Sequence, residues 1–134
     1  MELQIGDKAP NFSLPNQDNA EISLQDFRGS WVVLYFYPKD KTPGCTQEAC
    51  DFRDNLANLS GLNAVVLGVS PDSVKTHQSF IDKESLNFTL LSDTDKKALK
   101  AYGAWGLKKL YGKEYEGVIR STFVIDPQGK IAFL

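Results

Sequence analysis

The sequence of 134 residues has few of the residue types that mark several large classes of protein. Its two cysteines and one histidine are too few for a disulfide scaffold and for the four ligands of a structural zinc site. Its 15 basic and 17 acidic residues nearly cancel, to a formal net charge of -2. We therefore expect no metal or other cofactor, and neither nucleic acid nor a membrane as partner.

Long apolar runs are also missing. No stretch approaches the roughly 18 apolar residues that a membrane-spanning helix needs. The N-terminal MELQIGDKAPNF lacks the basic and apolar regions of a secretory signal. We expect a cytoplasmic protein, although a processed organellar protein would have the same features. The length and the 42% hydrophobic content fit one domain over residues 1–134.

Three shorter apolar runs predict strands of a central sheet, at residues 31–37, 64–69 and 121–125. The first two runs do not alternate with polar residues. This pattern is typical of strands that are covered by helices on both faces, as in an α/β protein.

Two helices are predicted after the second strand. The segment SPDSVKTHQSFI predicts a helix from about residue 71 to 84, with Ser70 as its N-cap and Pro71 at its first position. A shorter helix is predicted around DTDKKALKAYG, closed by Gly103. His77 falls in the middle of the longer helix, where we expect a surface or partly packed side chain.

The remaining C-terminal residues predict a hairpin and a loop. VIDPQGKIAFL places Pro127 and Gly129 at the second and fourth positions of a type I turn. The preceding LKKLYGKEYEGVI is rich in Lys, Glu and Tyr and lacks clear periodicity. We interpret it as a loop that runs over the surface.

Both cysteines lie in the short stretch DKTPGCTQEACDF. If the chain turns here from the first strand into a helix, Thr42 is the N-cap, Pro43 the first helical residue and Cys45 the third. Unpaired backbone N–H groups and the positive end of the helix favour a negative group at that third position. Cys45 is therefore a candidate reactive thiol.

The second cysteine, Cys50, follows five residues later. Standard helix geometry places it about 140° around the axis from Cys45, with the two Cα atoms roughly 8.6 Å apart. A disulfide needs about 7 Å or less. The spacing forbids a bond while the helix is intact and permits one if a turn or more unwinds. It also differs from the closer C-x-x-C pair of thioredoxin-type oxidoreductases.

An inert cysteine is the alternative at this point. The helix carries one apolar face, made of Cys45, Ala49, Phe52, Leu56 and Leu59. A cysteine on such a face is commonly a small buried hydrophobe. From the residues alone, an inert core cysteine and a reactive thiol with a resolving partner both stay open.

The longer stretch FYPKDKTPGCTQEACDFRD resembles the active-site segment of the peroxiredoxins, specifically the bacterioferritin comigratory protein or peroxiredoxin Q group. The P-x-x-x-T-x-x-C pattern of that family occurs here as Pro38, Thr42 and Cys45. Similarity continues at GDKAPNFSL and at YGAWGLKKLYGKEYEGVIRSTFVID, and so over nearly the whole chain. The resemblance implies a thioredoxin-like fold with a mixed central sheet flanked by helices.

The resemblance also implies roles for individual residues. Cys45 would be the peroxidatic cysteine, Thr42 and Arg120 would complete its pocket, and Cys50 would be the resolving cysteine. Thioredoxin or a similar dithiol would then reduce the resulting disulfide. Glu48, three residues after Cys45, is a candidate for orienting Arg120, and Pro38 for shaping the strand exit and shielding the thiol.

The chain stops at GKIAFL, inside the expected return strand of the hairpin, whereas peroxiredoxins of this group continue into a C-terminal helix. We therefore expect the fold to lack that helix, and hence an uncovered sheet face, low stability and self-association. The chemistry itself needs no second subunit. A monomer is the expected functional unit, and a dimer is the alternative.

The function expected from the resemblance is a thiol-dependent peroxidase that reduces hydrogen peroxide and organic hydroperoxides in antioxidant defence. A disulfide oxidoreductase is a second candidate, although the cysteine spacing lacks the usual geometry. A third is a non-catalytic redox sensor, in which the Cys45/Cys50 pair switches local structure. Turnover separates these functions, because a sensor is oxidised once per event whereas a peroxidase consumes many peroxides.

Overall fold

The computed structural model describes residues 3–134, apart from the side chain of Leu110. A short 3₁₀ helix, Leu24–Phe27, precedes the central sheet. In chain order the other elements are β1 (Ser13–Pro15), β2 (Glu21–Ser23), β3 (Trp31–Phe36), α1 (Pro43–Gly61), β4 (Ala64–Ser70), α2 (Val74–Glu84), β5 (Thr89–Ser92), α3 (Lys97–Ala101), β6 (Trp105–Leu110), β7 (Lys113–Val118), β8 (Ser121–Ile125) and β9 (Ile131–Phe133).

A mixed five-stranded sheet forms the centre of the protein, in the order β5-β4-β3-β8-β9. Strands β3, β4 and β5 are parallel, as the connecting helices α1 and α2 require. Strand β8 pairs antiparallel with β3, and β9 pairs antiparallel with β8 at the edge of the sheet. The three strands predicted from apolar runs are confirmed to within one residue at each end.

Strand β3 is covered on both faces, which explains its unbroken apolar sequence. Leu34 and Phe36 point into one core cluster, which includes side chains of the N-terminal segment and of α3. Tyr35 points to the opposite face, where it packs in a second cluster with Cys45 and Ala49 of α1. The prediction of strands buried on both sides is confirmed, and it places the thiol of Cys45 against the sheet.

The start of α2 differs from the prediction. The helix begins at Val74, and its N-cap is Ser73, whose hydroxyl accepts a hydrogen bond from the backbone N–H of Thr76 at 3.2 Å. Ser70, the predicted N-cap, is instead the last residue of β4, and its hydroxyl donates to Asp72 at 2.8 Å. Both serines are followed by residues that can begin a helix. Pairing with β5 extends β4 through Ser70, so the helix starts at the later serine.

The prediction of a surface loop before β8 is wrong. Residues of that segment form the antiparallel hairpin β6–β7, with Leu110 paired with Lys113 next to the turn. Tyr111 and Gly112 make the turn with φ of 52° and 77°, the positive values that a two-residue hairpin needs. Most side chains of the hairpin are exposed, so the apolar alternation that would have revealed the strands is weak.

The C-terminal hairpin and the short helix agree with expectation. In the turn before β9, the N–H of Gly129 donates to the carbonyl of Asp126 at 2.9 Å, which leaves Pro127 at the second position. Gly103 follows α3 with a φ of 70°, as a residue that closes a helix does. These two signals are local, and the structure confirms both.

Part of the sheet surface is apolar and open. Trp31, Leu62 and Phe133 are exposed by 37%, 71% and 65%, and they line one concavity together with Val33 and Val124. Within residues 3–134, β9 is the last element of secondary structure. The low stability and self-association that we expect from an uncovered face stay predictions. Among the described residues, no helix is long and apolar enough to cross a membrane.

Candidate active site

Cys45 is the third residue of α1, at the place that its sequence predicts. Thr42 is the N-cap, with extended backbone angles of -75° and 154°, and Pro43 is the first helical residue. The side chain of Cys45 is 1% exposed and its thiol is free. A thiol in this position lies among the unpaired N–H groups and the partial positive charge of the helix start, which favour negative charge on the sulfur.

The sheet register brings Arg120 to this thiol. Ser121 of β8 pairs with Phe36, so Arg120 lies beside the end of β3, where the chain turns into α1. From there its Nη2 atom donates to Cys45 Sγ at a distance of 3.1 Å. Arg120, which the family resemblance assigns to the pocket of Cys45, thus lies in direct contact with that thiol.

Glu48 holds the other side of the same guanidinium. It lies one helical turn after Cys45, and its Oε1 atom accepts a hydrogen bond from Arg120 Nη1 at 2.9 Å. The side chains of Arg120 and Glu48 are 41% and 23% exposed. One guanidinium therefore binds the thiol with one nitrogen and the carboxylate with the other, a geometry that its planar fork allows.

Burial and charge act in opposite directions on this pair. Burial raises the pKa of Glu48 above its ordinary value, and it outweighs the lowering effect of Arg120. For Arg120, partial burial lowers the pKa. The Cys45 sulfur and the Glu48 carboxylate raise it by more, so the pKa of Arg120 lies above its ordinary value. The guanidinium therefore remains a fixed positive charge beside the sulfur. Ionising the Glu48 carboxylate, in contrast, costs free energy because the side chain is partly buried.

Thr42 is in place, but its hydroxyl does not cap the helix. It donates to the backbone carbonyl of Lys39 at 3.0 Å, and no hydrogen bond from α1 reaches it. Its backbone carbonyl accepts from the N–H of Thr46 at 2.8 Å. The prediction that Thr42 is the N-cap residue is confirmed by its position and backbone angles, although its hydroxyl binds a carbonyl of the tight loop before α1 and not the helix.

Cys50 is not brought to Cys45. Its half-buried thiol is free and faces α2, where Sγ lies 3.8 Å from Glu84 Oε1. Burial raises the pKa of Cys50 above its ordinary value, and the charge of Glu84 adds to the increase. Both sulfurs thus sit on one intact helix in different surroundings, as the spacing of five residues predicts.

His77 differs most from expectation, because it is fully buried. Its Nδ1 atom lies 2.7 Å from Oδ2 of Asp40, and its Nε2 atom lies 3.0 Å from the carbonyl oxygen of Leu91. Asp40, in the loop before α1, is itself 3% exposed. The sequence analysis did not single out Asp40, and no local pattern marks a partner that is 37 residues away.

The same buried group contains the ligand types that a metal would use. Ligand atoms of Asp40, Asp72 and His77 lie within 4.8 Å of one another. Each already has a protein partner, since Asp72 accepts from the N–H of Asp40 at 2.7 Å while Asp40 bonds to His77. These hydrogen bonds account for the cluster as a structural network.

A groove of about 740 Å³ opens beside Arg120 and runs along α1. Gly44, Glu48 and Arg120 lie at the end near the thiol, and Phe52 and Leu59 line its apolar part. A small molecule with an apolar body and a polar end would fit this arrangement.

A thiol at the start of a helix, packed on a mixed sheet and contacted by an arginine, defines the class of the thiol peroxidases with a thioredoxin-like fold. The comparisons with known proteins agree. The AhpC/TSA family profile matches residues 5–134, and the chain belongs to this family, among the peroxiredoxins.

Three relatives show which peroxiredoxins are similar. The peroxiredoxin Bcp of Bacillus subtilis is 50% identical over 131 residues, which are 98% of this chain and 83% of the relative. A cysteine variant of Xylella fastidiosa PrxQ superposes with a TM-score of 0.93 at 39% identity, covering 99% of this chain and 85% of that one. The Xanthomonas campestris bacterioferritin comigratory protein gives 0.89 at 37% identity, covering 98% and 83%. The predicted family and fold are confirmed.

Proposed function

We propose that this peroxidase reduces hydrogen peroxide and organic hydroperoxides through Cys45, in antioxidant defence. The observation that carries the proposal is the 3.1 Å contact between Arg120 Nη2 and Cys45 Sγ. A fixed positive charge and the start of α1 both stabilise the thiolate, the form that attacks a peroxide.

In the first step the Cys45 thiolate attacks one oxygen of the peroxide. The S–O bond forms as the O–O bond breaks, so that sulfur is oxidised to a sulfenic acid and the peroxide is reduced. The second oxygen takes a proton and leaves as water or an alcohol. Arg120 supports this step because its N–H groups lie where negative charge develops on the oxygens.

Thr42 completes the pocket in this proposal. Its hydroxyl proton is already donated to the Lys39 carbonyl, which leaves the hydroxyl oxygen as an acceptor. An incoming peroxide O–H is a suitable donor for it. Thr42 would thus orient the substrate, whereas Arg120 stabilises the charge.

Cys50 then resolves the sulfenic acid. Its sulfur bonds to Cys45 Sγ, the S–O bond breaks, and the hydroxyl leaves as water, which gives an intramolecular disulfide. Thioredoxin or a similar dithiol would restore both thiols by exchange. One chain suffices for this cycle, so we propose a monomer, acting in the cytoplasm where such reductants are present.

Organic hydroperoxides are included because of the groove beside Arg120. Its apolar part, lined by Phe52 and Leu59, can take an alkyl group while the peroxide oxygens reach the guanidinium. The bacterioferritin comigratory protein of Xanthomonas campestris is described as having alkyl peroxide reduction activity. Rates with hydrogen peroxide and cumene hydroperoxide would compare the two substrate classes directly.

The test is intact mass and free-thiol count after reduced protein is mixed with one equivalent of hydrogen peroxide. We expect a loss of about 2 Da and of both thiols, with a sulfenic acid trapped in Cys50→Ser. Steady turnover with thioredoxin would separate a peroxidase from a sensor. Insulin reduction much slower than that by thioredoxin would exclude a disulfide oxidoreductase. Thiols that persist for many minutes would contradict the proposal.

A further inference from the structure

The loop before α1 is fixed to the body of the protein through Asp40. The backbone N–H of Asp40 donates to Asp72 at 2.7 Å, and its carboxylate accepts from the hydroxyl of Tyr37 at 2.6 Å. The same carboxylate lies 2.7 Å from His77 Nδ1 on α2. Lys41, the next residue, also bonds to Ser79 of α2. The N-terminal side of α1 is thus attached to a second helix.

The contact between Asp40 and His77 is closed to solvent. Nδ1 of His77 lies 2.7 Å from a carboxylate oxygen of Asp40, and Nε2 lies 3.0 Å from the carbonyl oxygen of Leu91. Both distances are those of hydrogen bonds. Neither side chain has an exposed atom, so water does not compete for this contact.

A second attachment follows Cys50 on the same helix. Arg53 Nη1 donates to the backbone carbonyl of Glu84, the last residue of α2, at 2.6 Å. In return, the backbone carbonyl of Arg53 accepts from the side chain of Asn87 at 3.2 Å. Both bonds join α1 to the C-terminal end of α2 and the loop after it.

Both cysteines lie between these two attachments. We propose that residues 41–52 are the segment that unwinds when the disulfide forms, and that His77 and Arg53 are positioning residues holding its two ends. The inference rests on the proposed function, because only resolution by Cys50 requires unwinding. The inference specifies the residues at which unwinding begins and ends. It also specifies the two attachments that return Cys45 to Arg120 when the helix re-forms.

The chain is long enough to form the disulfide with both ends held. Between residues 40 and 53 the folded structure spans at most about 25 Å, since most of the segment is helix at 1.5 Å per residue. Unwound and crosslinked, the path through Cys45 and Cys50 reaches about 32 Å, with 5.5 Å across the disulfide. The attachments therefore need not break.

The attachment through His77 acts on the two chemical steps in opposite ways. With Asp40 held, the start of α1 and Thr42 keep the geometry in which Cys45 meets Arg120. Loosening it makes the folded state less populated, which slows the reaction with peroxide and speeds disulfide formation. Loss of general stability without this role would not change the two rates in opposite directions.

The only histidine of the chain gives a direct test. In protein with ¹⁵N-labelled histidine, we expect the Nδ1 signal of His77 to have the same chemical shift in the reduced and in the disulfide form. Asp40→Asn, which replaces the carboxylate next to Nδ1, should change that shift. A change of similar size when wild-type protein is oxidised would show that the N-terminal attachment breaks, and would overturn the proposal.

Hydrogen exchange defines the segment itself. On oxidation we expect amides up to residue 56 to lose protection, because those of residues 53–56 donate to carbonyls of the unwound segment. Amides of residues 57–61 and of α2 should keep it. Arg53→Gln, which removes the second attachment, should extend the loss through residue 61. Exchange that spreads over all of α1 in the wild-type protein would contradict the assigned end.

Rapid kinetics tests the positioning role. For Asp40→Asn, an isosteric change, we expect the rate constant for sulfenic acid formation to fall about tenfold and that for disulfide formation to rise. Lys75→Gln, on an exposed position of α2, is the control and should change neither. Equal rates in Asp40→Asn and wild type would overturn the inference alone. A wild-type protein that forms no disulfide would instead contradict the proposed function.

Discussion

Arg120 Nη2 lies 3.1 Å from Cys45 Sγ, although the two residues are 75 positions apart in the chain. The contact depends on two features of the fold. The antiparallel register of β8 on β3 brings Arg120 to the end of β3, and a short loop from there leads into α1. Cys45 is only 1% exposed, so the guanidinium contacts a sulfur that is almost entirely enclosed by protein.

The first prediction concerns the identity of this cation. Replacing Arg120 by Ala should lower the rate constant for Cys45 oxidation by about 10²-fold, the scale for losing one donor to a developing charge. Arg120→Lys should lose most of this rate too, because one ammonium cannot reproduce the fork that binds Cys45 and Glu48 together. Stopped-flow tryptophan fluorescence with hydrogen peroxide measures the constant. Unchanged rates in a folded Arg120→Ala protein would refute the assignment.

The second prediction concerns Glu48, which orients Arg120 at a cost to stability. Its pKa in the folded protein is raised, mainly by burial, so the folded state binds more protons than the unfolded state between the ordinary pKa and the raised one. The wild-type protein therefore loses stability as pH rises through that window. Glu48→Gln should lack this loss, and should be more stable relative to wild type at pH 7 than at pH 4.

The same variant should be a poorer enzyme. Without a carboxylate the guanidinium is held less firmly, and we expect Cys45 oxidation to slow by about tenfold, less than in Arg120→Ala. Thermal melts at both pH values and stopped-flow rates at pH 7 give the two measurements. Asp82→Asn, at an exposed acid of α2, serves as the control for general charge effects. A Glu48→Gln protein that is faster than wild type would contradict the orienting role.

The third prediction concerns the resting state of Cys50. Its pKa lies above the ordinary value, mainly because the thiol is partly buried. The nearby carboxylate of Glu84 raises the pKa further. In a Cys45→Ser background, its alkylation by iodoacetamide should therefore rise with pH at a higher midpoint than for an unstructured cysteine. Glu84→Gln keeps the backbone carbonyl that Arg53 binds, and should lower that midpoint. An ordinary midpoint in both proteins would exclude this environment.

Much of the site could be predicted from the sequence because its signals are local. Thr42, Pro43 and Cys45 follow one another at the start of a helix, and capping preferences fix their positions. The position of Arg120 came from the resemblance to a family, since a strand-end arginine carries no local signal of its own. The hydrogen bond from the Thr42 hydroxyl to the Lys39 carbonyl could not be predicted, because it depends on how the loop closes.

The buried contact between Asp40 and His77 shows where sequence reasoning stops. Its partners lie on a loop and a helix, 37 residues apart, and neither follows a periodic pattern. The hairpin β6–β7 was missed for a related reason. Its strands are mostly exposed, so they lack the alternation of apolar and polar residues that predicts a strand. Its turn residues, Tyr111 and Gly112, are also not a common hairpin pair.

The last prediction compares two glycines. A Cβ atom at Gly68, in the centre of β4, would lie 2.8 Å from Leu90 Cδ2 and from the ring of Tyr35. Tyr35 cannot give way easily, because its ring stacks on Phe52 with centroids 4.7 Å apart. Gly68→Ala should therefore lower the free energy of unfolding by about 1–3 kcal/mol, the range for overpacking a core.

Gly61 is the matched control, because it is the last residue of α1 and nothing lies within 4 Å of a Cβ added there. Gly61→Ala should leave stability unchanged or raise it by about 0.5–1 kcal/mol, through lower entropy of the unfolded chain. Urea unfolding of both variants measures the difference. Because Tyr35 packs in one cluster with Cys45, a displaced ring in Gly68→Ala would also disturb the thiol. Equal stability of the two variants would mean that the Tyr35 ring can move, and that the packing beneath Cys45 is looser than the structure indicates.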